Sequence, residues 1–321
     1  MEEKQVKAGR LASLLIILAA AGCAAHSRPS QASVAPGQPP SGARDALGNV
    51  VRLSAPPHRI VSWAPNATEI LFALGLAHRV VGVTRYCDFP PEAKRKPKVG
   101  SIIAPSIERT LALRPDLVVA ARLNDRRIIE AARRAKLQVF AIDPTSIEEV
   151  YGAILSLGRL TDTTQRAKWL VADMQRTIGA VHRRSVTLQR KRRPTVFFVY
   201  QLNPIWTAGR GTFPDEIVKL AGGENAAGGV RGFAALSSEA IIQVDPDVLL
   251  IATMDGGDTS RILSHPALSK LAAVRKGRVY QVNPDILGRA GPRLAEAVDI
   301  VANILAECCA PHSTPQSGRA K

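Results

Sequence analysis

The sequence predicts an α/β fold of two lobes, each built on a parallel sheet of βαβ units, the two joined by one long helix. Three observations predict it. Short β-branched runs alternate with helical segments in two separate regions of the chain; a proline-free amphipathic stretch lies between those regions; and a serine-glutamate pattern followed by Pro-Asp occurs once in each. At 321 residues the chain exceeds one typical domain and is long enough for two, each able to bury a core.

The first region begins with Ile60 to Trp63, and Val80 to Val83, Leu117 to Ala121 and Val139 to Ile142 follow. These runs are apolar without alternation, as strands buried on both faces are. Between them Thr68 to Leu76, Ile107 to Arg114 and Asp125 to Lys136 space their apolar residues three and four apart, the helical period. Together they predict a first lobe over residues 57–162.

Thr163 to Gln189 contains no proline and one glycine, Gly179, while Ala167, Val171, Met174, Ile178, Val181 and Leu188 keep a three-four spacing. A connecting helix over 163–193 follows, reaching about 40 Å at 1.5 Å per residue. From Pro194 the alternation resumes with strands at Val196 to Tyr200, Val248 to Ala252 and Val279 to Val282. Helices at Pro214 to Leu220, Arg261 to Val274 and Arg293 to Cys308 complete a second lobe over 194–309.

The ends read differently. Lys4, Lys7 and Arg10 precede an apolar stretch, Leu11 to Ala21, too short to span a bilayer comfortably, and Ala20-Ala21-Gly22-Cys23 follows. Residues 1–23 are therefore expected to be a lipoprotein-type signal peptide with Cys23 as the acylated residue. The mature chain is then extracytoplasmic, in the periplasm or its equivalent, and held to the membrane by its lipid. Residues 24–56 are expected to form a flexible linker and lead-in, since Ala24 to about Arg44 has hardly any large apolar side chain, and 310–321 a disordered tail. Cys87, Cys308 and Cys309 complete the four cysteines. With Cys23 acylated an odd number remains, and their pairing stays open.

The net charge of +16 raises a nucleic-acid function, since Arg183-Arg184 and Arg190-Lys191-Arg192-Arg193 cluster near the long helix. Neither stacking aromatics nor a reading motif accompanies them, so a solvated basic face is predicted and no nucleic-acid partner. His58, His78, His182, His265 and His312 show no HxxxH or HxxEH spacing, and there is no Gly-x-Ser-x-Gly elbow. No enzyme is expected; an exported metal-dependent enzyme with a site assembled from distant residues is the remote alternative.

The internal pattern is the most informative feature. Ser106-Ile107-Glu108 precedes Pro115-Asp116-Leu117-Val118-Val119-Ala120, and Ser237-Ser238-Glu239 precedes Pro246-Asp247-Val248-Leu249-Leu250-Ile251 at the same spacing. Each copy reads as a capping serine, a helix with an acid in its first turn, a Pro-Asp stop and a buried strand. Two copies, one per lobe, predict a pseudo-twofold with one glutamate at corresponding places.

From Arg59 to about Leu305 the chain resembles the periplasmic cobalamin-binding proteins of ABC importers, within the helical-backbone substrate-binding class that also serves haem and iron siderophores. The resemblance rests on Arg59-Ile60-Val61-Ser62-Trp63-Ala64-Pro65-Asn66-Ala67-Thr68-Glu69, on Val83-Thr84-Arg85-Tyr86-Cys87-Asp88-Phe89-Pro90-Pro91-Glu92-Ala93, and on the two glutamate patterns. It implies a ligand cleft between the lobes, a transported corrinoid, no cofactor or metal of the protein's own, and a monomer that docks on a permease dimer with its ATPase subunits.

Carried over by position, the resemblance assigns Pro65 and Asn66 to the turn that meets the ligand, Tyr86 to the corrin face, and Trp206 and Phe233 to ligand-facing aromatics. Asp285 and Arg289 become polar ligand contacts, and Glu108 and Glu239 the acids that grip permease arginines. A corrin is a broad apolar disc edged by amides, which calls for flat rings and a few rim hydrogen bonds. Two positions at which the family carries tryptophan are Ile102 and Ala121 here. The nearest alternative cargo is haem, with Tyr86 or His265 as axial ligand, or a ferric siderophore held by Arg85, Arg210 and Arg289.

Overall fold

The computed structural model describes residues 41–188, 192–253 and 259–309. The expected signal peptide, Cys23, the linker up to residue 40 and the tail 310–321 lie outside the described residues. The lead-in expected to be flexible through residue 56 instead holds an antiparallel hairpin, β1 (Ser41–Arg44) with β2 (Val50–Leu53). Its turn is fixed by Asp45, which accepts from the backbone N–H groups of Leu47 at 3.0 Å and Asn49 at 2.8 Å and is ion-paired with Arg133. Ala46 N–H then donates to Ala141, tying the hairpin to the first lobe. Four-residue strands carry too little periodicity to stand out in a polar segment.

The first lobe runs β3 (Ile60–Ser62), α1 (Pro65–Ala73), β4 (Val80–Val83), α2 (Ile107–Ala112), β5 (Leu117–Ala121), α3 (Arg126–Arg134), β6 (Val139–Ile142) and α4 (Ile147–Leu160). Its strands form one parallel sheet in the order β4-β3-β5-β6. Pro65 starts α1 one turn earlier than the apolar spacing alone indicates, because proline at a first helical position forfeits no hydrogen bond. Gly75, with φ of 81°, ends that segment.

The long helix α5 (Thr164–Leu188) has 25 residues, about 38 Å at 1.5 Å per residue. It packs on α4 at one end and on the second lobe at the other. The α4–α5 corner depends on Gly158, where an added Cβ would lie 2.4 Å from that of Ala167.

The second lobe follows with β7 (Thr195–Val199), β8 (Gln201–Leu202), β9 (Ile205–Ala208), α6 (Phe213–Leu220), β10 (Glu224–Asn225), β11 (Phe233–Leu236), α7 (Ser238–Val244) and β12 (Val248–Ile251). α8 (Thr259–Ser264), α9 (Ala272–Arg275), β13 (Val279–Gln281), α10 (Pro284–Gly288) and α11 (Leu294–Cys309) complete it. Its parallel sheet has the order β10-β7-β12-β13, the same second-first-third-fourth arrangement as the first lobe. The single helix expected over Arg261 to Val274 is two helices. Pro266 has no N–H to donate, and His265 Nδ1 accepts from Ala267 and Leu268, restarting the chain. A small antiparallel sheet, β8-β9-β11, has no counterpart in the expected pattern.

Each sheet is covered on both faces. Leu117, Val119 and Ala121 of β5 and Val248 and Leu250 of β12 face one continuous core that runs through α5 and α11 from lobe to lobe. Val118 and Ala120 face a separate core in the first lobe, and Leu249 and Ile251 one in the second.

Candidate functional site

In open parallel sheets ligands are met at the carboxyl ends of the strands. Pro65 and Asn66 follow β3, Tyr86 follows β4 and Ala121 ends β5; in the second lobe Tyr200 follows β7 and Asp285 follows β13. These two edges approach each other. Asn66 Nδ2 donates to the Ala290 carbonyl at 3.4 Å, and Arg289 Nη2 donates to the Tyr86 carbonyl at 3.2 Å. Pro65 itself is buried.

The contact is an ionic clasp. Glu69 of α1, with a side chain only 2% exposed, accepts from Arg293 Nε at 2.9 Å and Nη2 at 2.7 Å and from Arg289 Nη1 at 3.1 Å. Arg289 also meets Asp88 at 2.8 Å and Asp285 at 2.7 Å. Burial opposes its charge, but the hydrogen bonds it donates to Asp88 and Glu69 and the negative charge of Asp285 outweigh that and raise its pKa above the ordinary value. The Arg293 guanidinium lies 4.0 Å over the Phe89 ring. Two guanidiniums face three carboxylates, so the clasp carries one net negative charge.

Arg289, expected as a ligand contact, reaches Glu69, Asp88 and the Tyr86 carbonyl of the first lobe, and Asp285, expected as another, is ion-paired with Arg289. Glu69, Asp88, Phe89 and Arg293 are the residues that sequence reasoning missed. One signal was present: Glu69 stands in the apolar run of a helix, between buried Thr68 and Ile70, where a carboxylate needs a cation.

The expected aromatics Tyr86, Trp206 and Phe233 are partly open to solvent, as is Phe89, whose ring carries the Arg293 guanidinium on one face. Tyr86 is 54% exposed, Phe89 40%, Trp206 39% and Phe233 40%. Trp206 of β9 pairs with Ala235 and Ala208 with Phe233, so both rings project from one face of the small sheet. Ile205 and Leu236, on the other face, pack on the core. Phe233 meets the rings of Tyr200 at 5.9 Å and Phe213 at 6.2 Å, and the Tyr200 hydroxyl donates to Leu287 just before Arg289. Burial pushes the Tyr200 phenol pKa far up, keeping it a neutral donor. A contiguous path therefore joins Phe233 to Tyr86 through Tyr200, Leu287 and Arg289.

Ala121 lines a cavity of about 300 Å³ with Ile103, Leu123, Asn124 and Asp143 at the strand ends. His265 Nδ1 is engaged by the Ala267 and Leu268 N–H groups at the turn after α8. Cys87 is a free, buried thiol, and Cys308 is buried. On α5, Arg176 pairs with Asp173 and Arg184 with Asp299, which leaves less free charge along the helix than the composition implies.

The repeated pattern is reproduced in detail. Ser106 Oγ accepts from Arg109 N–H and Ser237 Oγ from Ala240 N–H, capping α2 and α7. Arg114 and Asp245, each before the Pro-Asp, have φ of 45° and 36°. Asp116 then accepts from His58 and Arg59 N–H at 2.7 and 2.8 Å, and Asp247 from Thr195 N–H at 2.9 Å, each fastening the start of the neighbouring strand. Glu108 and Glu239 are exposed in equivalent first turns.

Two α/β lobes bridged by a stiff helix, with open rings at a bridged junction and a twofold-related pair of surface acids, define a substrate-binding protein of the kind that serves ABC importers. Residues 60–286 match the periplasmic binding protein family, and the chain belongs to it. It is 33% identical over 304 residues to an uncharacterized ABC transporter substrate-binding lipoprotein, YvrC, of Bacillus subtilis, covering 92% of this chain and 96% of that one. It is 28% identical over 259 residues to a vitamin B12-binding protein of Pectobacterium atrosepticum, covering 78% and 89%. A periplasmic heme-binding protein from Pseudomonas aeruginosa superposes with a TM-score of 0.73 at 27% identity, over 81% and 96% of the two chains.

Proposed function

We propose that this protein captures cobalamin or a related corrinoid outside the cytoplasm and delivers it to the permease dimer of an ABC importer. The observation that carries the reading is the combination of open rings on both lobes with a clasp whose cations are already matched by carboxylates. A corrin with neutral amide side chains suits such a rim. The two propionates of haem or a ferric siderophore would meet net negative charge at its centre. Tyr86, Phe89, Trp206 and Phe233 then cover the disc, Asn66 lies at its edge, and Arg289 with Asp285 holds the lobes that frame it. Glu108 and Glu239 face the permease, and Cys23 carries the lipid that keeps the complex near the membrane.

Haem is the second reading. It is favoured by the exposed Tyr86 phenol and by Arg85 and Arg210, exposed cations flanking the aromatic loop and the small sheet. Calorimetric titration of the tag-free mature chain with cyanocobalamin and, separately, with haemin tests both. One-to-one cyanocobalamin binding, weakened by Tyr86→Ala with Trp206→Ala, is expected. Haemin binding with a shifted Soret band and no heat from cyanocobalamin refutes the corrinoid assignment.

A further inference from the structure

Leu111 of α2 and Ile242 of α7 are large aliphatic side chains left 42% and 39% exposed. Each lies three residues after its lobe's surface acid, on the same helix face. Between them on the inward side, Thr110 and Ile241 are fully buried, so the two helices also present corresponding faces to solvent. Elsewhere the helices differ: Ile107 against Ser238, Arg109 against Ala240, Ala112 against Gln243. A single exposed aliphatic residue needs no explanation. An acid and an aliphatic side chain at the same spacing, kept at both copies of the repeat while neighbouring positions diverge, is a surface built twice.

We infer that each lobe meets the permease through a two-part contact, in which the acid (Glu108, Glu239) engages a cation and the aliphatic side chain (Leu111, Ile242) enters an apolar socket beside it. This rests on the docking role proposed above for the two acids and adds the residues that give it contact area. Charge selects the occupant. A second copy of this chain docking through the same patch would set acid against acid, whereas two equivalent basic-rimmed sockets on a symmetric dimer match the two acids. The Glu239 carboxyl is held below its ordinary pKa by its own backbone N–H and the Ser237 hydroxyl. Two modest contacts on one rigid body reinforce each other through effective concentration.

The test is photo-cross-linking in cells with the full chain, a benzophenone amino acid replacing Leu111, Ile242, Glu108 or Glu239 one at a time, and Val186 on α5 as an exposed aliphatic control. The expected product at all four positions is one polytopic permease polypeptide, identified by mass spectrometry together with its ATPase, with none at Val186. Permease products at Glu108 and Glu239 but not at Leu111 and Ile242 overturn the two-part contact and leave acid-only docking standing. Absence of permease products at all four positions removes both, and chain-to-chain products at Leu111 or Ile242 assign the surface to self-association instead. With the permease complex in nanodiscs, Leu111→Ser combined with Ile242→Ser lowers affinity about tenfold or more. Unchanged affinity in that correctly folded variant overturns the inference.

Discussion

Glu69→Ala isolates the clasp between the lobes. The variant leaves Arg289 with Asp88, Asp285 and the Tyr86 carbonyl, but leaves Arg293 with only the Phe89 ring. Removing one partner of a buried ion pair costs about 3–5 kcal/mol, because the other charge stays desolvated and unmatched. Arg289 keeps two carboxylates and the Arg293 side chain is 12% exposed, so the lower end applies, about 3 kcal/mol. At roughly 2 °C per kcal/mol for a chain of this size, thermal unfolding at neutral pH falls by about 6 °C. Glu69→Gln keeps the shape and one acceptor and costs less. A cycle pairing it with Arg293→Met returns a coupling of at least about 1 kcal/mol. The same variants loosen the Tyr86 to Phe89 loop and weaken ligand binding. A Glu69→Ala protein melting within about 1 °C of the parent would show that the clasp contributes nothing and would refute this account of lobe pairing.

Two further outcomes follow from the repeat and from a cap. Asp247→Ala removes the acceptor for Thr195 N–H and hydroxyl at the start of the central strand β7 and lowers stability to urea by about 2 kcal/mol, with Asp116→Ala doing the same at β3. Glu149, in the first turn of α4, has its carboxyl pKa lowered chiefly by the Thr145 N–H, with the Thr145 hydroxyl assisting. A lowered folded-state pKa stabilises above the unfolded value, and the benefit disappears as pH falls through the folded one. Glu149→Gln is therefore less stable than the parent at pH 7, by under about 1 kcal/mol for so exposed a group. The two proteins converge in urea midpoint in acid.

The doubly covered strands, the long helix and the twofold pattern were legible because each is written locally. Leu117 to Ala121 is apolar at every position, Ala167 to Val181 keeps one period, and the Pro-Asp stops recur at one spacing. The small sheet was not legible because β8 has two residues and Phe233-Ala234-Ala235-Leu236 carries no strand signature. The aromatics expected to face a ligand are partly exposed, yet the pairing of Arg289 and Asp285 could not be read. Whether an arginine is free or matched depends on Glu69 and Asp88, some two hundred residues away in the chain, and no periodicity encodes a pairing at that distance.

That pairing answers a conflict built into any two-lobed capture site. Rings that must stay open to a guest cannot also be buried to hold the lobes together, so cohesion has to come from groups that leave the ring faces uncovered. Charges meet this requirement: Arg293 forks onto Glu69, and of the four rings only Phe89 has a guanidinium over it among the described residues. The continuous core through α5 and α11 supplies the rest of the cohesion from behind. With the lobes held at both places, a ligand bound as proposed would meet a surface already formed, and its affinity would draw on preorganisation rather than on closure.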